Sequence, residues 1–79
     1  MPTILYLNGY RFYFYAGDEN EPAHVHVEKG GGTAKIWLEP EINAKYFYSF
    51  KNQERKEIMK MVEENYDLLK SKWYEYFSK

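Results

Sequence analysis

Hydrophobic and polar residues alternate through the first half of the chain and then switch to three- and four-residue steps, the pattern of strands followed by helix. Residues 3 to 16 divide around Asn8-Gly9, a dipeptide suited to a two-residue type I′ turn because both central positions take positive φ. Pairing outward from that turn sets Leu7 opposite Tyr10, Tyr6 opposite Arg11, Leu5 opposite Phe12 and Ile4 opposite Tyr13. Leu5, Leu7, Phe12 and Phe14 then share a core face, while Ile4, Tyr6, Arg11, Tyr13 and Tyr15 take the other. Gly17 to Pro22 is a run of turn formers and acids and reads as a connecting loop.

His24-Val25-His26-Val27-Glu28 alternates strictly, and Gly30-Gly31-Gly32 separates it from Thr33 to Glu39, which predicts a second hairpin. A two-residue turn at Gly31-Gly32 pairs Val27 with Ile36, His26 with Trp37, Glu28 with Lys35 and His24 with Glu39. Its core face is Val25, Val27, Ala34, Ile36 and Leu38. An odd loop would set the histidines among aliphatics without partners, at a cost on the order of a few kcal/mol, so the even loop is expected. Pro40 interrupts pairing, and residues 41 to 50 are left open between a short edge strand and an extended approach to the helix. From Asn52, the expected N-cap, Ile58, Met59, Val62, Tyr66, Leu69, Trp73 and Phe77 mark one stripe of a long helix ending near Phe77, with Asn65 as the one place a break is permitted. The expected architecture is α+β: an antiparallel sheet of four strands, or five if residues 41 to 50 pair, with one long C-terminal helix on one face and nothing over the other.

A chain of 79 residues supports a single domain, residues 1–79. The 20% aromatic content, with nine Tyr, exceeds what so small a core encloses, so several rings must be partly exposed. Eleven Lys and Arg against twelve Asp and Glu give a net charge of −1, which supplies no cationic field for phosphates or acidic lipid. The absence of Cys removes disulfides and thiolate chemistry, and the N-terminus lacks the layout of a secretory signal; a cytoplasmic protein with no membrane segment is expected. Gly30-Gly31-Gly32 lacks the following helix and Lys-Ser/Thr of a phosphate loop and is a turn.

The one dense cluster of reactive groups is the face carrying His24, His26 and Glu28, with Lys35, Trp37 and Glu39 across from them and Arg11, Tyr13 and Tyr15 on the preceding hairpin. Its residue types suit an interaction surface, where Tyr, Trp, His and Arg recur. They also suit acid–base chemistry on RNA, with His24 and His26 as base and acid and Lys35 or Arg11 stabilising an anion. A third reading is metal binding by the two imidazoles and a carboxylate, Glu28, Glu39 or Glu21. Against all three stands a structural role for each histidine as a satisfied strand residue. The interaction surface is favoured, with Tyr13, Tyr15, Glu28, Trp37 and Glu39 as binding residues, and no cofactor or metal ligand is assigned.

Arg11-Phe12-Tyr13-Phe14-Tyr15, Glu21-Pro22-Ala23-His24-Val25-His26-Val27, Ala34-Lys35-Ile36-Trp37-Leu38-Glu39-Pro40, Val62-Glu63-Glu64-Asn65 and Trp73-Tyr74-Glu75-Tyr76-Phe77 resemble, in that order, the small bacterial proteins of domain-of-unknown-function family 4160. The resemblance implies an operon of toxin–antitoxin type, a companion small protein of domain-of-unknown-function family 2442 as partner, and the toxin-like role for this chain. It implies no settled activity. The polar residues it shares are Arg11, Tyr13, His24, His26, Lys35 and Trp37. Some relatives carry a further His in the loop before the His-x-His segment where this chain has Glu19, so the resemblance supplies no third imidazole here. A homodimer through the same face would also cover it.

Overall fold

The computed structural model describes residues 3–77. Five strands, β1 (Thr3–Leu7), β2 (Tyr10–Tyr13), β3 (His24–Lys29), β4 (Gly32–Trp37) and β5 (Asn43–Tyr48), form one antiparallel sheet in chain order. Residues 43–48 therefore supply the fifth strand that the pattern left open. Two helices follow, α1 (Asn52–Glu64) and α2 (Tyr66–Phe77). Among the described residues, no helix is long and apolar enough to cross a membrane.

The first turn behaves as its residues require: Asn8 and Gly9 have φ of 52° and 85°, and Leu7, Tyr6 and Leu5 face Tyr10, Arg11 and Phe12. Beyond Leu5 the expected pairing fails, because Thr3 rather than Ile4 faces Tyr13. Ile4 is the extra residue of a β-bulge and packs against the core, which keeps an aliphatic side chain out of water. A second bulge lies in β5, where Tyr46 faces Lys35 and Ala44 faces Ile36, leaving Lys45 unpaired.

The second hairpin turns one residue earlier than expected, at Gly30-Gly31, with Lys29 facing Gly32. Every pair shifts by two: His24 faces Trp37, His26 faces Lys35, Val27 faces Ala34 and Glu28 faces Thr33. Two features fit this register. Gly30 takes the left-handed φ of 58° that the turn needs, and Gly32 sits inside the ladder under the Phe50 ring and the Ser49 carbonyl, which lie 2.7 and 2.8 Å from where a Cβ would stand. An even shift leaves the faces unchanged. Val25, Val27, Ala34, Ile36 and Leu38 are all buried, together with Tyr10, Phe12 and Phe14.

The helices cover that face with Ile58, Met61, Val62, Leu69 and Trp73. They are two helices, not one long one. Asn65 leaves the helical region at φ −112°, ψ 21°, its side-chain amide donates to the Met61 carbonyl at 2.9 Å, and its own carbonyl accepts from Leu69 N–H at 2.9 Å to start α2. The N-cap of α1 is Lys51 rather than Asn52, because Glu54 reaches back to accept the Lys51 backbone N–H at 2.8 Å. Tyr10 joins sheet to helix, donating its hydroxyl to Glu57 at 2.9 Å. Phe50 enters the core just before α1, its ring centroid 6.1 Å from that of Tyr10.

Gly32→Ala should cost ~1–3 kcal/mol in urea unfolding, since a methyl there meets the Phe50 ring and backbone oxygen. Gly31→Ala, with open space around it, should stay within about 0.5 kcal/mol of the parent. Burial, and then the Glu57 carboxylate, push the Tyr10 hydroxyl up from 10.0 to about 12. The folded state thus holds this proton more tightly than the unfolded chain, and the resulting stability is present below pH 10 and lost as pH rises through 12. Urea melts across that range should show the stability of the parent falling relative to Tyr10→Phe.

Candidate functional site

The pairing register lays the outward side chains in rows across the sheet. One row runs Tyr6, Arg11, Glu28, Thr33, Tyr48; the next runs Thr3, Tyr13, His26, Lys35, Tyr46; the third holds His24, Trp37 and Asn43. The predicted site residues Arg11, Tyr13, Tyr15, His24, His26, Glu28, Lys35 and Trp37 therefore meet on one surface. Adjacent groups touch: the Arg11 guanidinium lies 4.4 Å from the Tyr13 ring centre, Tyr13 stacks on His26 at 5.4 Å, and the His26 and His24 rings meet edge-on at 5.1 Å. His24 continues to Trp37 at 5.3 Å, and the Lys35 ammonium sits 4.6 Å from the Trp37 ring centre.

Glu39 is the exception. Expected across from His24, it is turned to α2 instead, where the Tyr74 hydroxyl donates to it at 2.5 Å and Lys70 lies 3.4 Å away. The Tyr74 bond, and after it Lys70, hold its carboxyl below the usual range.

The expectation of a wholly uncovered face with both imidazoles in the open is corrected. His24 is 0% and His26 6% exposed. Within the segment read as connecting loop, Gly17 to Pro22, and starting one residue before it, Ala16–Asn20 form a 3₁₀ turn that folds back over this part of the sheet. Its Asp18 carboxylate accepts the Tyr15 backbone N–H at 2.9 Å and stands 3.0 Å from His24 Nε2 and 3.1 Å from His26 Nε2, all through Oδ2. Glu21, just after the turn, takes the Lys35 ammonium at 2.6 Å, a bond that holds the Glu21 carboxyl below its usual range. From the other side the Trp73 ring of α2 comes within 5.0 Å of the His24 ring. The helix thus overlaps the end of the sheet where β3 begins, which an alternation pattern within a strand does not report.

These contacts set the chemistry. Burial lowers the pKa of His26 against the opposing pull of Asp18, with His24 and Lys35 adding to the fall, so its neutral ring is favoured. Burial, with Tyr15 beside it, pushes the Tyr13 phenol far above its ordinary value, and it stays protonated. Arg11 is ion-paired with Glu28 and donates to Thr3 Oγ1 at 2.8 Å, and Lys35 is ion-paired with Glu21, so both cations named as anion stabilisers already hold carboxylates or hydroxyls.

Asp18 is the residue that reading the sequence missed. The carboxylate joining the imidazoles is not Glu21, Glu28 or Glu39 but this one, six residues before His24. A signal existed: an Asp three residues after Tyr15, in the turn-forming run Ala16-Gly17-Asp18-Glu19-Asn20, is the spacing of a side chain that reaches back to accept a backbone N–H at the start of a helical turn. Trp73 was legible only as helix packing.

A family model described as domain of unknown function (DUF4160) matches residues 9–74. No curated protein and no solved structure matches the chain.

Asp18→Ala should cost ~1–3 kcal/mol, because it strands the Tyr15 N–H and removes the acceptor beside two buried rings. Hydrogen exchange should locate the loss at residues 15–21, and protection there equal to the parent would contradict this role.

Proposed function

We propose, from the premise that the chain belongs to the DUF4160 family, that it is the toxin-like member of a bacterial two-gene pair. In this reading it works in the cytoplasm by binding a companion small protein, of domain-of-unknown-function family 2442, across its outer sheet face. The observation that carries the reading is the row that starts at Tyr6 and ends at Tyr48. These rings are 66% and 68% exposed, with Tyr46 and Tyr15 also exposed nearby, on the face opposite the buried aliphatic layer. Such amphipathic rings offer large contact area at small entropic cost when a partner covers them.

Charge favours a protein over a nucleic acid as that partner. Phosphate recognition needs cations to neutralise it, whereas Arg11 and Lys35 are committed to Glu28 and Glu21. The face is close to neutral once these pairs and Asp18 are counted, which suits a polar-rimmed, aromatic protein interface. Both edge strands carry a bulge, at Ile4 in β1 and Lys45 in β5, and bulges discourage strand addition at an edge. The partner therefore meets the sheet on its face.

Purified chain mixed with the companion protein should form a complex by size exclusion. The double variant Tyr6→Ser/Tyr48→Ser should weaken it by about tenfold or more at unchanged thermal stability, as removal of exposed aromatic anchors does. A chain that forms no complex, or whose complex ignores both tyrosines, refutes the reading. RNA cleavage by the isolated chain, abolished in His26→Ala, would instead select the ribonuclease-like activity.

A further inference from the structure

His24 and His26 point their Nε2 atoms at a single oxygen, and the His24 half of that arrangement leaves a buried ring nitrogen without a hydrogen-bond partner. His24 Nδ1 lies 2.9 Å from the Pro22 carbonyl oxygen. A carbonyl only accepts, so Nδ1 carries a proton, and a neutral ring in that tautomer presents a lone pair at Nε2. That lone pair lies 3.0 Å from Asp18 Oδ2, which is also an acceptor. Although close, the two atoms form no hydrogen bond, and His24 Nε2 is left without a partner in a fully buried ring. An orphaned buried acceptor is costly, and two acceptors in contact repel unless a cation answers both.

The geometry points to a binding site for a zinc-class divalent transition-metal ion formed by Asp18, His24 and His26. One donor atom from each residue lies within 4.8 Å of the others, and Asp18 Oδ2 stands 3.0 and 3.1 Å from the two Nε2 atoms, close to the separation of neighbouring donors around a four-coordinate ion with bonds of roughly 2.0–2.2 Å. Two imidazoles and one carboxylate select a borderline ion over magnesium or calcium, which favour oxygen donors. The surroundings are those a metal site needs. The Pro22 carbonyl fixes the His24 tautomer with Nε2 toward the ion, and a ligating histidine ordinarily gives its second N–H to such a group. Tyr13 stacks on His26 and Tyr15 meets it edge-on at 4.6 Å, while Trp37 and Trp73 pack around His24, so neither ring can swing away.

Three protein donors leave a position for water or for a group supplied by another molecule, on the side where Asp18 and His26 retain slight exposure. The ion would also pin the Ala16–Asn20 turn to β3, joining two segments of a small domain through one centre. The inference rests on the histidine–carboxylate cluster and not on the tyrosine row, so it stands or falls independently of partner binding.

The test uses the full chain, freed of metal by chelation and titrated at neutral pH with Zn²⁺ by calorimetry and with Co²⁺ by visible absorption. We expect one ion per chain, a cobalt d–d spectrum showing nitrogen and oxygen donors, and a melting temperature that rises with zinc concentration. Asp18→Asn keeps an acceptor for the Tyr15 N–H and preserves the turn, while His26→Gln keeps the strand residue's bulk. Circular dichroism of the metal-free variants confirms their fold, and each should weaken zinc binding by about tenfold or more, the least that losing a ligand should cost when second-shell changes already cost that much. Absence of one-to-one binding by the parent chain, or affinity in both folded variants within tenfold of the parent, overturns the site.

Discussion

The pleat of β3 is the constraint on which the molecule depends. It is the middle strand of five, and its alternation sends Val25 and Val27 into the core while His24 and His26 leave on the opposite side. Because the side-chain period is two, a slip of one residue would exchange the two sets, placing imidazoles among Phe12, Ile36 and Leu38 without partners. The penalty is large against the few kcal/mol by which a domain this small is stable. Register, core and site are therefore specified by the same strand, and a change that loosens the core also moves the imidazoles.

What turns that strand into a site is the short segment before it. Ala16–Asn20 closes on itself through Asp18, whose backbone N–H donates to the Tyr15 carbonyl at 3.1 Å while its carboxylate takes the Tyr15 N–H. The same carboxylate oxygen meets both histidines. One residue thus caps its own turn, fixes the turn over the sheet and supplies the negative charge of the centre. Glu21 to Lys35 adds a second tie from the same segment to β4. Burial arises here from folding the connection back rather than from a further layer, which is economical in a chain of 79 residues.

Away from this corner the outer face remains open, and its composition is divided in a way that follows from position. The central strands carry paired charges and stacked rings, whereas the edge strands carry the exposed tyrosines Tyr6, Tyr46 and Tyr48. A bulge in each edge strand interrupts the ladder that another chain would otherwise extend. The sheet is in this sense closed at its edges and available on its face.

Local chemistry along the chain was enough to determine the α+β class, the Asn8-Gly9 turn, the membership of the core face and the sharing of one surface by Arg11, Tyr13, His26, Lys35 and Trp37. Each follows from a period of two, a period near 3.6 or the φ demand of a single residue, all of which act over a few neighbours. Tertiary structure decided the rest. The ladder register of β3 with β4 sets Gly32 beneath Phe50, a contact across 18 positions of sequence. The break at Asn65 was permitted but not required by the sequence, and the folded chain makes it, with the Asn65 amide on the Met61 carbonyl. The junction of Asp18 with His24 and His26, and the approach of Trp73 from α2, join segments whose distance in space no periodicity encodes. Parity tells which way a side chain leaves a strand; only the packed chain tells what it meets there.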